Sequence, residues 1–204
     1  MLSQIVRRMS LPRLAVAILA LAAAVTLSLL PTWRAQAAVP TPVPASSGTD
    51  AAALAKSGKI PTGKVLLLGR IAHPVLLDVR ALATRYPQHT QTVTFQSGAG
   101  KQTHTYTGPL LYDVLQAAKP SFRADVKNDS LRYAVVVHAS DNYESVVSWP
   151  EIDPGYANTE SLLAVTEDGK SLAADGPRLT APKDTKGGRY VSNVISVALV
   201  RAGL

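Results

Sequence analysis

The chain contains no cysteine in its 204 residues. That absence excludes a disulfide framework, a cysteine-based zinc site, an iron–sulfur cluster, a thiol nucleophile and any cofactor held through a cysteine sulfur. Charged residues make up only 17% of the sequence, too few for a disordered polyampholyte. Clustered Lys and Arg are also missing. Of the 21 basic residues, Arg7, Arg8, Arg13 and Arg34 stand in the first 37 positions with no acid among them; the remaining 17 face 14 acids, a net of +3. An ordinary surface of that kind lacks the counterion-displacing patch of a nucleic-acid binder, so no nucleic-acid partner is expected.

Several catalytic patterns are absent as well. No two of His73, His89, His104 and His138 have helical i, i+4 spacing, and there is no H-E-x-x-H or G-x-S-x-G. His104 sits in an alternating stretch and His138 ends an apolar one, so both read as structural or exposed and no metal site is expected. Gly98-Ala99-Gly100-Lys101-Gln102 is not a phosphate loop. Phe95 stands where the first glycine belongs, and Gln102 where Ser or Thr is required.

The first 37 residues carry an export address. Arg7, Arg8 and Arg13 precede an apolar run over residues 14–30 broken only by Thr26 and Ser28; Pro31 ends it, and Ala35-Gln36-Ala37 offers small residues to a signal peptidase. This order predicts a signal peptide over 1–37 and a periplasmic protein. The rival is an uncleaved anchor, since the run reaches the short end of a membrane span; that would be the only membrane contact. Arg7-Arg8 keeps part of a twin-arginine motif. Residues 38–59 follow as a Pro/Ala-rich tether, ending in a short helix over 51–57 that Thr49 or Asp50 caps.

Residues 60–204 read as one domain. Apolar or alternating strands are predicted over 64–71, 91–96, 102–107, 131–138, 143–149, 162–166, 170–173, 178–181 and 190–200. Gly98–Gly100 and Asp168-Gly169 mark hairpin turns. Helices are predicted over 78–86, with Val79, Leu82 and Ala83 inward, and over 110–118, with Leu111, Val114, Leu115 and Ala118 inward. Strands joined by short turns favour an α+β fold, mainly antiparallel, with short helices.

Two stretches draw functional interest. Asp141-Asn142-Tyr143, with Glu144 and Glu151 nearby, reads as a tight turn rather than an acid–base pair. From Gly176 to Tyr190 a short strand leads into a loop rich in cations and glycine, a pattern able to hold phosphate or carboxylate.

Taken in order, five pieces resemble the oxidoreductase molybdopterin-binding domain, the fold of sulfite oxidase. They are Tyr106-Thr107-Gly108-Pro109-Leu110-Leu111-Tyr112-Asp113-Val114-Leu115, the stretch 133–143 with its Ser-Asp-Asn-Tyr turn, Leu163-Ala164 through Asp168-Gly169-Lys170, Gly176-Pro177-Arg178-Leu179 with Pro182, and Arg189-Tyr190-Val191. The resemblance spans roughly residues 60–204 and implies a mixed fold of several small sheets. In the enzymes it also implies a molybdenum–pterin cofactor bound by one Cys thiolate, near whose position Ser97 falls. Arg178 and Pro182 match the anion-holding end; the terminal lysine of that segment falls near Val191, with Lys183, Lys186 and Arg189 alongside. A serine hydroxyl is a harder, less acidic ligand than a thiolate. The expectation is therefore an exported, non-catalytic domain without cofactor, binding a small anion or a periplasmic protein partner, with Ser97, Arg178, Lys186 and Arg189 as its site. The alternative is a molybdopterin-dependent oxidoreductase transferring an oxygen atom to or from a small oxoanion or sulfoxide.

Overall fold

A computed structural model describes residues 51–54 and 58–203. The signal-peptide reading, and most of the tether, fall outside those residues; of the helix expected at 51–57, residues 51–54 are helical.

The longest apolar stretches form a five-stranded sheet of order β2-β1-β11-β5-β6. Its strands are β1 (Lys64–Gly69), β2 (Val75–Asp78), β5 (Tyr133–Ala139), β6 (Glu144–Ser148) and β11 (Val194–Arg201). Every pairing is antiparallel except β1 with β11, where Leu66 lies opposite Ser196 and Leu68 opposite Ala198. One face of the sheet presents Val65, Leu67, Leu77, Val135, Val137, Val147, Val197 and Leu199, all buried in the main core. Against it pack α1 (Val79–Arg85), α2 (Leu111–Ala117) and the single turn α3 (Trp149–Ile152). β1 stops at Gly69, where φ is +90° and a Cβ would stand 2.2 Å from the Leu199 carbonyl oxygen. Only glycine tolerates that combination.

Local chemistry explains the helix ends. Asp78 caps α1 by accepting the Ala81 N–H at 2.7 Å. Leu111, Val114, Leu115 and Ala118 are buried as expected, whereas Ala83 of α1 is exposed and Val79 and Leu82, with Ala81 partly buried, carry the contact. Residues 131–132 belong to a 3-10 turn (Asp129–Arg132) rather than to a strand, and Trp149 opens α3 because Pro150 at the first turn suits a helix start better than a strand.

A second, four-stranded antiparallel sheet has the order β3-β4-β8-β9. β3 (His89–Ser97) and β4 (Gly100–Gly108) form a nine-pair hairpin about a two-residue turn, so Gly98-Ala99 is a turn and no helix follows it. β8 (Thr166–Glu167) and β9 (Lys170–Ser171) flank Asp168 and Gly169, both at positive φ. β7 (Leu163–Ala164) pairs with β10 (Arg178–Leu179). Under this sheet lies a smaller core of Val93, Phe95, Tyr106, Leu162, Ala164, Ala181 and Tyr190. The outer face of the hairpin carries three cross-strand threonine pairs, Thr90–Thr107, Thr92–Thr105 and Thr94–Thr103, with hydroxyls 2.8–2.9 Å apart. The architecture is thus α+β, mostly antiparallel, with few short helices. Among the described residues no helix is long and apolar enough to cross a membrane.

Candidate functional site

The small core positions a cavity of about 580 Å³ between the β3–β4 turn and the loop that follows β10. Phe95, Gln96 and Ser97 line one side, Lys186, Gly187, Gly188 and Tyr190 the other, and Arg178 also faces it. Three of the four expected site residues, Ser97, Arg178 and Lys186, therefore meet at one place. Arg189 is not among the lining residues. It donates from Nε and Nη2 to Asp184 and from Nη1 to Glu151 at 2.7 Å, so its charge ties the loop to α3.

The loop is fastened to the hairpin in three ways. The Gln96 N–H donates to the Thr185 carbonyl at 2.8 Å, extending β3 by one parallel bridge to Lys186. Gly187 lies flat on Phe95, where a Cβ would come within 2.7 Å of the ring. Tyr190 stacks on the same ring, centroids 4.2 Å apart. From the other sheet, the Tyr143 hydroxyl donates to the Gly188 carbonyl. The Asp141-Asn142-Tyr143 stretch is the expected tight turn: Asn142 has positive φ and the Tyr143 N–H reaches Asp141 Oδ1 at 3.0 Å. Its neighbours Glu144 and Glu151 are engaged separately, by His138 and by Arg189.

Ser97 serves the turn it opens. Its hydroxyl donates to the Gly100 carbonyl at 3.0 Å and accepts the Ala99 N–H at 3.1 Å. Arg178 is more complex. Its Nη1 donates to both oxygens of Glu167, its guanidinium carbon lies 5.7 Å from the Tyr106 ring centre, and its Nε is buried with no hydrogen-bond partner among the described residues. The exposed Lys186 side chain makes no ion pair among the described residues. Lys183 instead donates to the Ala157 carbonyl at 2.9 Å and borders a neighbouring cavity of about 390 Å³.

Behind Arg178 lies a group that sequence reasoning missed. His104 on β4 points Nδ1 at Asp168 Oδ2, 2.8 Å away, and at Glu167 Oε1, 3.3 Å away. Asp168 Oδ1 accepts the Thr105 N–H at 2.8 Å, and Glu167 Oε1 also accepts the Tyr106 hydroxyl at 3.0 Å. The Thr105 N–H and then the His104 ring hold the Asp168 carboxyl below its ordinary value. Burial raises the Tyr106 hydroxyl, and burial with Asp184 nearby pushes Tyr190 up to about 12, so both phenols stay neutral at physiological pH. The one sequence clue to this group is the Asp168-Gly169 turn, which sets two consecutive acids beside β4; their meeting with His104 depends on the β4–β8 pairing.

Two of the three comparisons with known proteins give nothing: no protein-family model matches the chain, and no curated protein does. Among solved structures it is similar to the sulfane dehydrogenase SoxCD of Paracoccus pantotrophus, with a TM-score of 0.52 and 18% identity over 67% of this chain. The match spans 38% of that chain, and at this identity it speaks for the fold alone. It supports the mixed α+β fold that the ordered sequence segments imply.

Proposed function

We propose that the chain is an exported, non-catalytic domain of the molybdopterin-binding oxidoreductase fold, and that it binds a small anion in the cavity beside Arg178 and Lys186. The observation that carries this reading is the convergence of Ser97, Arg178 and Lys186 on one cavity, with a buried guanidinium Nε lacking a partner. A buried donor left unsatisfied costs free energy, and a bound oxyanion relieves it. Glu167 offsets the charge of Arg178, so Lys186 supplies the net positive charge.

The donor set does not suit a molybdenum ion held in the enzymes' manner. There is no thiolate in the chain, and the Ser97 hydroxyl is already committed as donor and acceptor within its own turn. The periplasmic address rests on residues 1–37. A protein partner at the same loop is the second form of the reading, and a molybdopterin enzyme performing oxygen-atom transfer is the rival one. The rival is favoured by the likeness to a sulfane dehydrogenase.

The test is calorimetric titration of the folded protein with sulfate, phosphate and small carboxylates at low salt. Saturable binding that weakens at least about tenfold in Arg178→Lys and Lys186→Ala is the expected result, as loss of a charge-assisted contact requires. Binding indifferent to both changes overturns the assignment of the site. Molybdenum near one per chain, in protein purified from a host that makes the pterin cofactor, overturns the non-catalytic reading.

A further inference from the structure

We propose that His104, Glu167 and Asp168 form a site for a divalent transition-metal ion. None of the three residues lines the anion cavity, although Arg178 touches both places. Three donor atoms converge there: His104 Nδ1, Glu167 Oε1 and Asp168 Oδ2 all lie within 4.8 Å of one another. The imidazole Nδ1 carries at most one proton, yet two carboxylate oxygens approach it, at 2.8 and 3.3 Å. Ligands on a common zinc-like ion at bonds of about 2.0–2.2 Å stand roughly 2.9–3.5 Å apart. The 3.3 Å separation falls within that range and the 2.8 Å one just short of it, so an ion in place of the proton requires the Asp168 carboxylate to draw back slightly.

A chance meeting of side chains would leave the donors free to turn, and these are not. The Thr105 N–H fixes Asp168 through its other oxygen. Tyr106 and Arg178 fix Glu167. The His104 ring lies between Phe95 and Tyr106, with centroids 6.1 and 5.9 Å away. Groups that orient metal ligands in this way are a regular part of metal sites. The β4–β8 register, Tyr106 opposite Glu167, holds all three on one rigid frame.

Charge and access agree. With a neutral imidazole the two carboxylates face the Arg178 charge and the exposed Lys170 near Asp168, so a divalent ion meets no net positive charge there. The Asp168 side chain is 50% exposed, which leaves an entry path and room for water to complete the coordination. Arg178 and Tyr106 draw on Glu167 from the other side and weaken it as a donor, so His104 and Asp168 are the principal ligands. A nitrogen–oxygen set without sulfur suits Zn²⁺ or Cu²⁺ over the earlier divalent metals.

The experiment uses the chelator-treated full chain and Zn²⁺. One ion per chain by calorimetric titration is expected, with a rise in Tm. His104→Gln and Asp168→Asn should each weaken uptake by at least about tenfold. His138→Gln, which removes a half-buried histidine beside a single carboxylate, should leave it unchanged. Imidazole nitrogen resonances of the unsubstituted protein supply a readout that needs no variant: Zn²⁺ should shift His104 Nδ1 and leave His138 in place. No saturable uptake, uptake insensitive to both ligand changes, or a shift at His138 instead would overturn the site.

Discussion

Arg178 and Glu167 are locked together by a single nitrogen: Nη1 donates to both carboxylate oxygens, and Nε of the same guanidinium has no hydrogen-bond partner among the described residues. The pair joins β10 to β8 and sets the guanidinium at the wall of the cavity, over Tyr106. Glu167 thereby fixes where the positive charge sits and at the same time offsets it.

Glu167→Gln separates those two effects. It keeps an acceptor for Nη1 but removes one negative charge beside the cavity. Affinity for phosphate at low ionic strength should rise roughly three- to tenfold, the worth of one nearby like charge in a partly solvated site. Thermal stability should fall, since a half-buried guanidinium loses its ion partner. Calorimetric titration and a melting curve on one sample read both; unchanged phosphate affinity would separate Arg178 from the ligand.

The Tyr143 hydroxyl ties the β5–β6 turn to the glycine pair of the loop by donating to the Gly188 carbonyl. Tyr143→Phe should cost about 0.5–1.5 kcal/mol, the net worth of one hydrogen bond. Because the residue is 47% exposed, the lower end is expected. Amide exchange over residues 187–190 should quicken while the β3–β4 strands keep their protection. Mass-resolved hydrogen exchange makes that comparison directly.

Much of the fold was legible because it is local. The helical spacing of Val79 and Leu82 announced their helix, although not Asp78 as its cap, and Asp168-Gly169 announced its turn. The alternation of β3 and β4 matched their inner face of Val93, Phe95 and Tyr106 and their outer threonine ladder. What escaped depends on pairing between distant segments. Nothing in residues 194–201 says that they lie parallel to β1, and β2 is too short for its alternation to be read. The site divides in the same way. Arg178 and Lys186 were picked out by charge and glycine content. Arg189, from the same loop, turns to Asp184 and Glu151, because acids five and 38 residues away reach it first. His104 was set aside as a lone histidine because its carboxylate partners come from residues more than 60 positions on.

Gly69→Ala tests the closest approach in the main sheet. The added Cβ would meet the Leu199 carbonyl oxygen at 2.2 Å, and φ of +90° is itself unfavourable for alanine. Overpacking and backbone strain together should cost about 2–5 kcal/mol. Gly98→Ala is the control, because nothing lies within 4 Å of its missing Cβ and its φ is not positive. Urea denaturation of the two variants should show a large loss for the first and a change within about 0.5 kcal/mol for the second, as for other open surface sites.

Acid should loosen the domain first where Asp129 is buried. Its side chain is 1% exposed. The Arg123 N–H, donating to Oδ2 at 2.9 Å, does most to hold the carboxyl below its ordinary value, with Tyr133, Arg201 and Arg132 adding to it against the effect of burial. A carboxyl whose folded pKa is depressed contributes stability that is complete above the unfolded value, about 3.9, and is lost as pH falls through the folded one. Asp168 acts in the same sense through Thr105 and His104. Asp113, raised by burial, acts in the opposite sense and gains as the solution is acidified into the carboxylate range. Two depressed groups against one raised group predict a net fall in the urea midpoint below about pH 4. Asp129→Asn should be less stable than the parent at pH 7, and its acid limb should be shallower, because its side chain no longer titrates. An acid limb of unchanged slope in Asp129→Asn would place the linkage elsewhere, with Asp168→Asn as the next variant to measure.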